Sequence, residues 1–288
     1  VLTYAFVGED QLKKMGLDPN AHIKIANPIA SNQSMLRQSL APNLLGTIRA
    51  NQARQDKIGI FEIGSIFLNL SGELDKGEAG ENNLPYQEKR LAIAQAGPSA
   101  PACFSETKGI VNFLLANFNV PVLFSPAETT PNWADKAMSA QIIVFDKLVG
   151  FVYVLEAAAA GRLGIKKEIA VAEISLRELF KFLANQPAVK FQEFEKYPPA
   201  MRDLAFVVSD KVLYNDTRAE IMQFNKFIKK AELFDVYTGE KLGQGKKSLA
   251  FHIVYQADKT LTAAEVDEIQ RGLIKKLEEK FDAKIRDF

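Results

Sequence analysis

The chain has 288 residues, 47% of them hydrophobic, and its 36 Lys and Arg nearly balance 35 Asp and Glu for a net charge of +1. That content supports two globular domains with cores of their own and excludes a protein held to nucleic acid by bulk charge. A single cysteine, Cys103, excludes an internal disulfide and suits a reducing cytosol; with only His22 and His252 beside it there is no metal-ligand cluster, and no apolar run reaches the length of a membrane span.

In chain order, Val1–Val7 reads as a strand that begins abruptly and without Met, as expected of a piece of something longer. Ile23–Ala26 reads as a second strand, ended by Asn27-Pro28. Pro42 suits the first turn of a helix whose apolar face is Leu44, Leu45 and Ile48. Ile58–Phe67 carries apolar residues on both faces and reads as a buried strand, followed by a polar, Gly-containing hairpin loop from Asn69 to Pro85. Arg90–Ala96 is another strand. Ser105 is placed to cap a helix with a face of Ile110, Phe113, Leu114 and Asn117. Gln141–Phe145 and Val149–Leu155 flank Asp146-Lys147 as a hairpin, Ile169–Ile174 is a strand, and Ser175 caps a helix from Leu176 to Leu183. The tetra-alanine at 157–160 carries no signal of its own. Consecutive strands with interspersed helices predict an α+β domain around an antiparallel sheet over residues 1–190, with Asn185–Phe191 as the linker.

The second domain, 191–288, opens on Lys196-Tyr-Pro-Pro, an extended entry to a central strand at Leu204–Val208. Thr217 and Glu220 stand at capping-box spacing, and Ile221, Phe224 and Ile228 share a helical stripe that Lys229-Lys230 closes with dipole-matched charge. Leu233–Tyr237 and Ser248–Tyr255 read as strands, the latter with Leu249, Phe251, Ile253 and Tyr255 on one face. His252 is an ordinary strand residue. Thr262 and Glu265 form a second capping box for a helix carried by Val266, Ile269, Leu273, Leu277 and Phe281, in which Gly272 costs about 1 kcal/mol against Ala. Ala283–Arg286 closes a βαββαβ order, the ferredoxin-like plan. This domain holds 17 basic and 17 acidic residues, so an RNA contact must come from a local patch.

Tyr197-Pro-x-x-x-Arg202-Asp203-Leu204-Ala205, Phe234-Asp-Val-Tyr237, Gly245-Lys-Lys-Ser-Leu-Ala250, Asp258-Lys-Thr-Leu-Thr262, Glu265-Val266 and Arg286 resemble the ferredoxin-fold anticodon-binding domain of the bacterial phenylalanyl-tRNA synthetase β subunit. Upstream, Asn27-Pro-x-x-Ser-x-Gln-Ser-x-Leu-Arg37-x-Ser39-Leu40-x-Pro42-x-Leu-Leu45, Asn51-x-x-Arg54 and Phe61-Glu-Ile-Gly64 are similar to the catalytic-like, class II synthetase domain of the same subunit. The resemblance implies a cytoplasmic, heterotetrameric ligase in which an α subunit carries the chemistry with ATP and magnesium, this chain binds no cofactor, and tRNA(Phe) lies against the C-terminal domain.

A class II enzyme holds ATP with an arginine two residues before a strand glutamate. If Glu62 is that glutamate, the arginine position is Ile60, and the loop 69–89 offers no arginine and only two lysines. No phosphate loop or Ser/His/Asp set replaces them. The resemblance also breaks at Trp133-Ala-Asp-Lys-Ala137 and Val154-Leu-Glu-Ala-Ala158, where rigid or charged family residues are missing, as at an exposed or interface surface. No catalytic and no metal-binding residue is therefore expected. Arg37, between apolar neighbours, reads as a buried or interface ion pair and is placed with Arg54 at the subunit interface; tRNA contact is expected at Lys196, Tyr197, Arg202, Lys246, Lys247 and Arg286. Arg202-Asp203 also reads as an intramolecular pair, Lys246-Lys247 as a solvated tip, and Tyr197 and Tyr237 as rings for bases or for the prolines. The alternative function is a stand-alone RNA-binding or ligand-binding regulatory module, since ferredoxin-like domains host both.

Overall fold

A computed structural model describes residues 1–69, 85–184, 196–239 and 242–286. The chain divides into two compact units, Val1–Ala188 and Val189–Phe288.

Unit one is built on a six-stranded antiparallel sheet in the order β3-β4-β8-β7-β6-β5, comprising β3 (Ile58–Leu68), β4 (Tyr86–Gly97), β5 (Leu123–Pro126), β6 (Ala134–Val144), β7 (Lys147–Leu155) and β8 (Glu168–Ser175). Alternation along β4 divides its side chains between two cores. Ala92, Ala94 and Ala96 pack with Leu44, Leu45 and Ile48 of α2 (Ala41–Asn51). Leu91 and Ile93 pack on the other side with Val111 and Leu115 of α3 (Ala100–Ala116) and Leu176 and Leu179 of α5 (Leu176–Leu183). The alanine run becomes α4 (Ala157–Leu163): the Glu156 side chain accepts the Ala159 N–H, and Gly164 ends the helix at φ 70°, a conformation glycine adopts without strain.

Several expectations are corrected here. The strand at the start is only β1 (Phe6–Val7), paired with β2 (Met35–Leu36), before a short α1 (Glu9–Lys14), and Ile23–Ala26 contributes one bridge, Lys24 to Met35. β3 is an edge strand, so Phe61 and Ile63 are exposed rather than buried. The α3 cap is Ser99, not Ser105, and the buried stripe is Cys103, Thr107, Val111 and Leu115. Ile110 and Phe113 face outward, Phe113 at 72% exposure. The β6–β7 turn is Phe145-Asp146, both at positive φ (47° and 61°), as a two-residue hairpin with right-handed strand twist requires. The divergent segments are mixed: Ala134, Val154 and Leu155 are buried, whereas Lys136, Ala137, Ala157 and Ala158 are exposed. Residues 70–84 of the expected hairpin loop and the whole expected linker, 185–191, lie outside the described residues.

Unit two has β9 (Ala200–Ser209), α6 (Tyr214–Phe224), β10 (Ile228–Tyr237), β11 (Lys246–Tyr255), α7 (Ala263–Phe281) and β12 (Lys284–Ile285), with the antiparallel order β10-β11-β9-β12. This is the ferredoxin-like arrangement. Leu204, Phe206 and Val208 of β9 and Leu249, Phe251, Ile253 and Tyr255 of β11 bury one face against α6 and α7. The Thr262–Glu265 capping box forms on both sides, and bonds from Lys259 and Thr262 pull the Glu265 carboxyl down to about 2. The expected box at Thr217 does not form. The helix begins at Tyr214, and Thr217 is buried within it, its hydroxyl donating to the Tyr214 carbonyl at 2.8 Å. Ile228, Lys229 and Lys230 lie on β10 rather than at a helix end. Gly272 has a packing reason: a Cβ there would sit 2.9 Å from the Phe224 ring, so alanine gains propensity only by displacing Phe224.

Tyr255 is fully buried and its hydroxyl finds no partner among the described residues; burial pushes its pKa up to about 12. An unbonded buried hydroxyl is destabilising. Tyr255→Phe is therefore expected to raise stability by about 1 kcal/mol in urea unfolding; a loss would mean the hydroxyl is bonded in solution. No described helix is long and apolar enough to cross a membrane.

Candidate nucleic-acid interface and a neutralised sheet cleft

Glu62, the glutamate matched to the synthetase strand motif, sits in a closed ion pair. Arg37 and Glu62 are 3% and 1% exposed, with Nη1 to Oε1 at 2.9 Å. Arg37 Nε donates to the Ser65 carbonyl at 2.9 Å and Nη1 to Thr3 Oγ1 at 2.8 Å, while Thr3 Oγ1 donates to the second Glu62 oxygen at 2.7 Å. Gly64 completes the arrangement, since a Cβ there would collide with Arg37 and crowd Glu62 and Leu40. Arg37 and the Phe61-Glu-Ile-Gly64 motif are thus one structural unit. Ile60, on the same face of β3, packs on the α2 core. Of the two readings of Arg37, the buried ion pair is the one formed: its guanidinium is satisfied inside the chain. Arg54 lies exposed in the turn after α2.

The same face of the sheet opens into a cleft of about 450 Å³, crossed by β4, β7 and β8. Its one guanidinium, Arg90, bonds Glu173 at 3.0 Å and Glu88 at 3.2 Å. Burial opposes the charge of Arg90, but Glu173 and Glu88 outweigh it and raise its pKa. Glu173 is anchored in turn by the Ser39 hydroxyl at 2.5 Å and the Leu40 N–H at 3.2 Å. A guanidinium neutralised by two carboxylates is not available to clamp a phosphate.

In unit two the face of the sheet away from the helices is buried at its centre, at Ala205, Ser248 and Ala250, and accessible around it. Side chains of opposite parity to the core line it: Asp203 on β9, His252 and Lys246 on β11, Phe234 and Tyr237 on β10, and Lys284 and Arg286 at β12. His252 stacks on Phe234 with ring centroids 3.9 Å apart and meets Asp203 at 2.6 Å. The Arg286 guanidinium lies 5.6 Å from the centre of the Tyr237 ring. Because β10 and β12 are the outer strands, that contact spans both inner ones. Flat rings and cations on an open sheet are the groups that stack bases and meet phosphates.

The six residues assigned to RNA do not form one cluster. Arg286 sits on the open face, its backbone N–H bonded to Ala205. Lys246 and Lys247 begin β11 opposite Ser209 and Val208, whereas Lys196 and Tyr197 precede the other end, where Ala200 pairs with Tyr255. Ten strand residues separate these ends by about 30 Å. Lys247 donates to the Asp210 carbonyl at 2.9 Å, and burial lowers its pKa; Lys246 is exposed. Tyr197 is 40% exposed and its carbonyl accepts from Gln256. Arg202 does not pair with Asp203. It bonds Asp267 of α7 at 3.1 Å, on the helix side, while Asp203 takes His252. His252, Phe234 and Lys284 were not anticipated as site residues; the alternation that buries Leu249 and Phe251 also turns His252 to the open face, which is the signal that finds it.

Residues 1–176 match the family model described as the phenylalanyl tRNA synthetase beta chain CLM domain, and residues 195–286 match that of the ferredoxin-fold anticodon binding domain. Sheet and family models together define the class: a synthetase-type domain followed by an anticodon-binding domain. The chain belongs to the phenylalanyl-tRNA synthetase β chain CLM-domain family. It is 30% identical over 299 residues to the phenylalanine–tRNA ligase beta subunit of Geobacillus kaustophilus, covering 99% of this chain and 35% of that protein. It is also 30% identical over 297 residues to that of Bacillus subtilis, again 99% and 35%. The chain thus spans about a third of the length of the curated relatives it matches. Among solved structures, pyrrolysyl-tRNA synthetase from Desulfitobacterium hafniense aligns with a TM-score of 0.48 and 16% identity over 63% of this chain and 62% of that one.

Proposed function

We propose that this chain serves phenylalanine–tRNA ligation in the cytoplasm as a non-catalytic part of a β subunit, packing on a catalytic α subunit and contacting the anticodon stem of tRNA(Phe). The observation that carries this reading is the succession of two family matches, 1–176 and 195–286, along one chain. The sheet chemistry supports the non-catalytic part: Ile60 stands at the phosphate-clamping position, Glu62 is neutralised by Arg37, and Arg90 by Glu88 and Glu173. ATP and magnesium belong to the α subunit's chemistry in a heterotetramer, and no step through them is assigned to these residues. The open sheet face, with Phe234, His252, Tyr237, Lys246 and Arg286, supports the RNA-contacting part.

The test is tRNA(Phe) binding across a salt series for the parent and for Lys246→Ala/Lys247→Ala. The double variant is expected to bind more weakly and to lose about 1 to 2 from the slope of log K against log salt. No binding at low salt, with a complex still formed on adding the α subunit, would remove the RNA role and leave assembly.

A further inference from the structure

The cleft over β4, β7 and β8 is empty of phosphate-binding chemistry, but it has a chemistry of its own. Its ionisable lining comprises three carboxylates, Glu88, Glu173 and Glu178, against the single guanidinium of Arg90. Glu178 is tied to Lys181 at its outer edge, so the excess negative charge sits with Glu88 and Glu173. Phe151 and Tyr153 stack along the floor at 5.3 Å between centroids, and Trp133 meets Tyr153 edge-on at 5.4 Å. His22 on the wall adds an acceptor. It is 7% exposed, and its Nδ1 lies 3.0 Å from the Asp18 carbonyl. A carbonyl only accepts, so Nδ1 carries the proton and Nε2 is left as an acceptor. Nε2 has no partner among the described residues, in a side chain that lines the cleft. Acceptors and aromatic faces around an apolar floor suit one kind of guest: a donor-rich cation on a flat apolar body.

We propose that this cleft is a binding site for a small organic ammonium with an aromatic or apolar body, held by Glu88, the aromatic pair Phe151–Tyr153 and the His22 acceptor. The ammonium donates to the carboxylate and the imidazole, and its apolar body lies on the rings. Anionic guests of the same shape are rejected, because among the described residues no guanidinium or ammonium in the lining is free to receive them. The proposal does not rest on the assembly or RNA roles.

The experiment compares tryptamine with indole-3-acetate, which carry the same ring with opposite charge, titrated into the full chain and read by calorimetry and by NMR shifts. Tryptamine is expected to saturate in the millimolar range and to bind at least tenfold more tightly than indole-3-acetate. Glu88→Gln, which keeps the hydrogen-bonding shape, is expected to weaken tryptamine at least fivefold, and Phe151→Ala by a similar factor. Equal affinity for the two indoles, tighter binding of indole-3-acetate, no saturable binding, or tryptamine binding untouched by both variants would each overturn the proposal. The comparison of the two indoles needs no mutation, so it stands even if a variant fails to fold.

Discussion

Arg37→Ala is expected to destabilise the first unit by about 3–5 kcal/mol in denaturant unfolding, the largest effect of any single charge removal in the chain. The reason is what remains. Glu62 is 1% exposed and would retain a carboxylate in a dry interior with only Thr3 to bond it. The Ser65 carbonyl would lose its donor as well. Removing both charges with apolar residues of similar volume, Arg37→Met with Glu62→Met, is expected to recover most of the loss, because the desolvation of both groups disappears together. Should the single variant cost less than about 1 kcal/mol, the pair is hydrated in solution and behaves as a surface bridge would.

Phe206→Ala is expected to cost the second unit about 3–5 kcal/mol. Phe206 lies on the inner strand β9, has no exposed surface, and runs nearly parallel to Phe251 with centroids 5.8 Å apart. Truncation leaves a void between two strands and α7 that this stacked ring cannot fill. Its neighbour Val207 points to the opposite, open face and is only partly buried, so Val207→Ala is expected to cost well under half as much. Hydrogen exchange at the amides of β9 and β11 reads both: protection drops strongly for the first and little for the second. Equal effects would mean the two faces of β9 are not distinct in solution.

The two cases show what was legible in the sequence. Alternation in β11 identified its buried face residue by residue, because a strand with one wet side leaves a period-two record. The βαββαβ order followed from such elements. Helix phase was harder. In α3, Ile110 and Phe113 mimic a buried stripe, yet Val111 and Leu115 are inside; adjacent stripes on an apolar helix differ by one residue, and only packing chooses between them. Thr217 and Glu220 have the spacing of a cap, but the helix starts a turn earlier and draws Thr217 inward. Local spacing does not show which backbone N–H groups are left free.

The candidate sites divide in the same way. Arg202 and Asp203 are neighbours in sequence, and successive strand residues face opposite sides, so each found a partner elsewhere. That Ile60 brings no charge to β3 was readable without the fold. The ion pair that neutralises Glu62 was half-readable: Arg37 among apolar neighbours announced a buried partner, but the partner lies 25 residues away and is met only through the tertiary fold. The open-face stack of His252 on Phe234 joins two strands and has no local signature.

The closed unit of Arg37, Glu62 and Gly64 also bears on the history open to such a chain. A lone Ile60→Arg exchange would not restore a nucleotide clamp. The incoming guanidinium would displace an apolar contact with the α2 core and find the adjacent acid already neutralised. Freeing that acid means unseating Arg37, and each change made first is penalised before the other can benefit from it. The buried pair therefore works as a one-way latch: once in place, it resists any single exchange that would set Glu62 free.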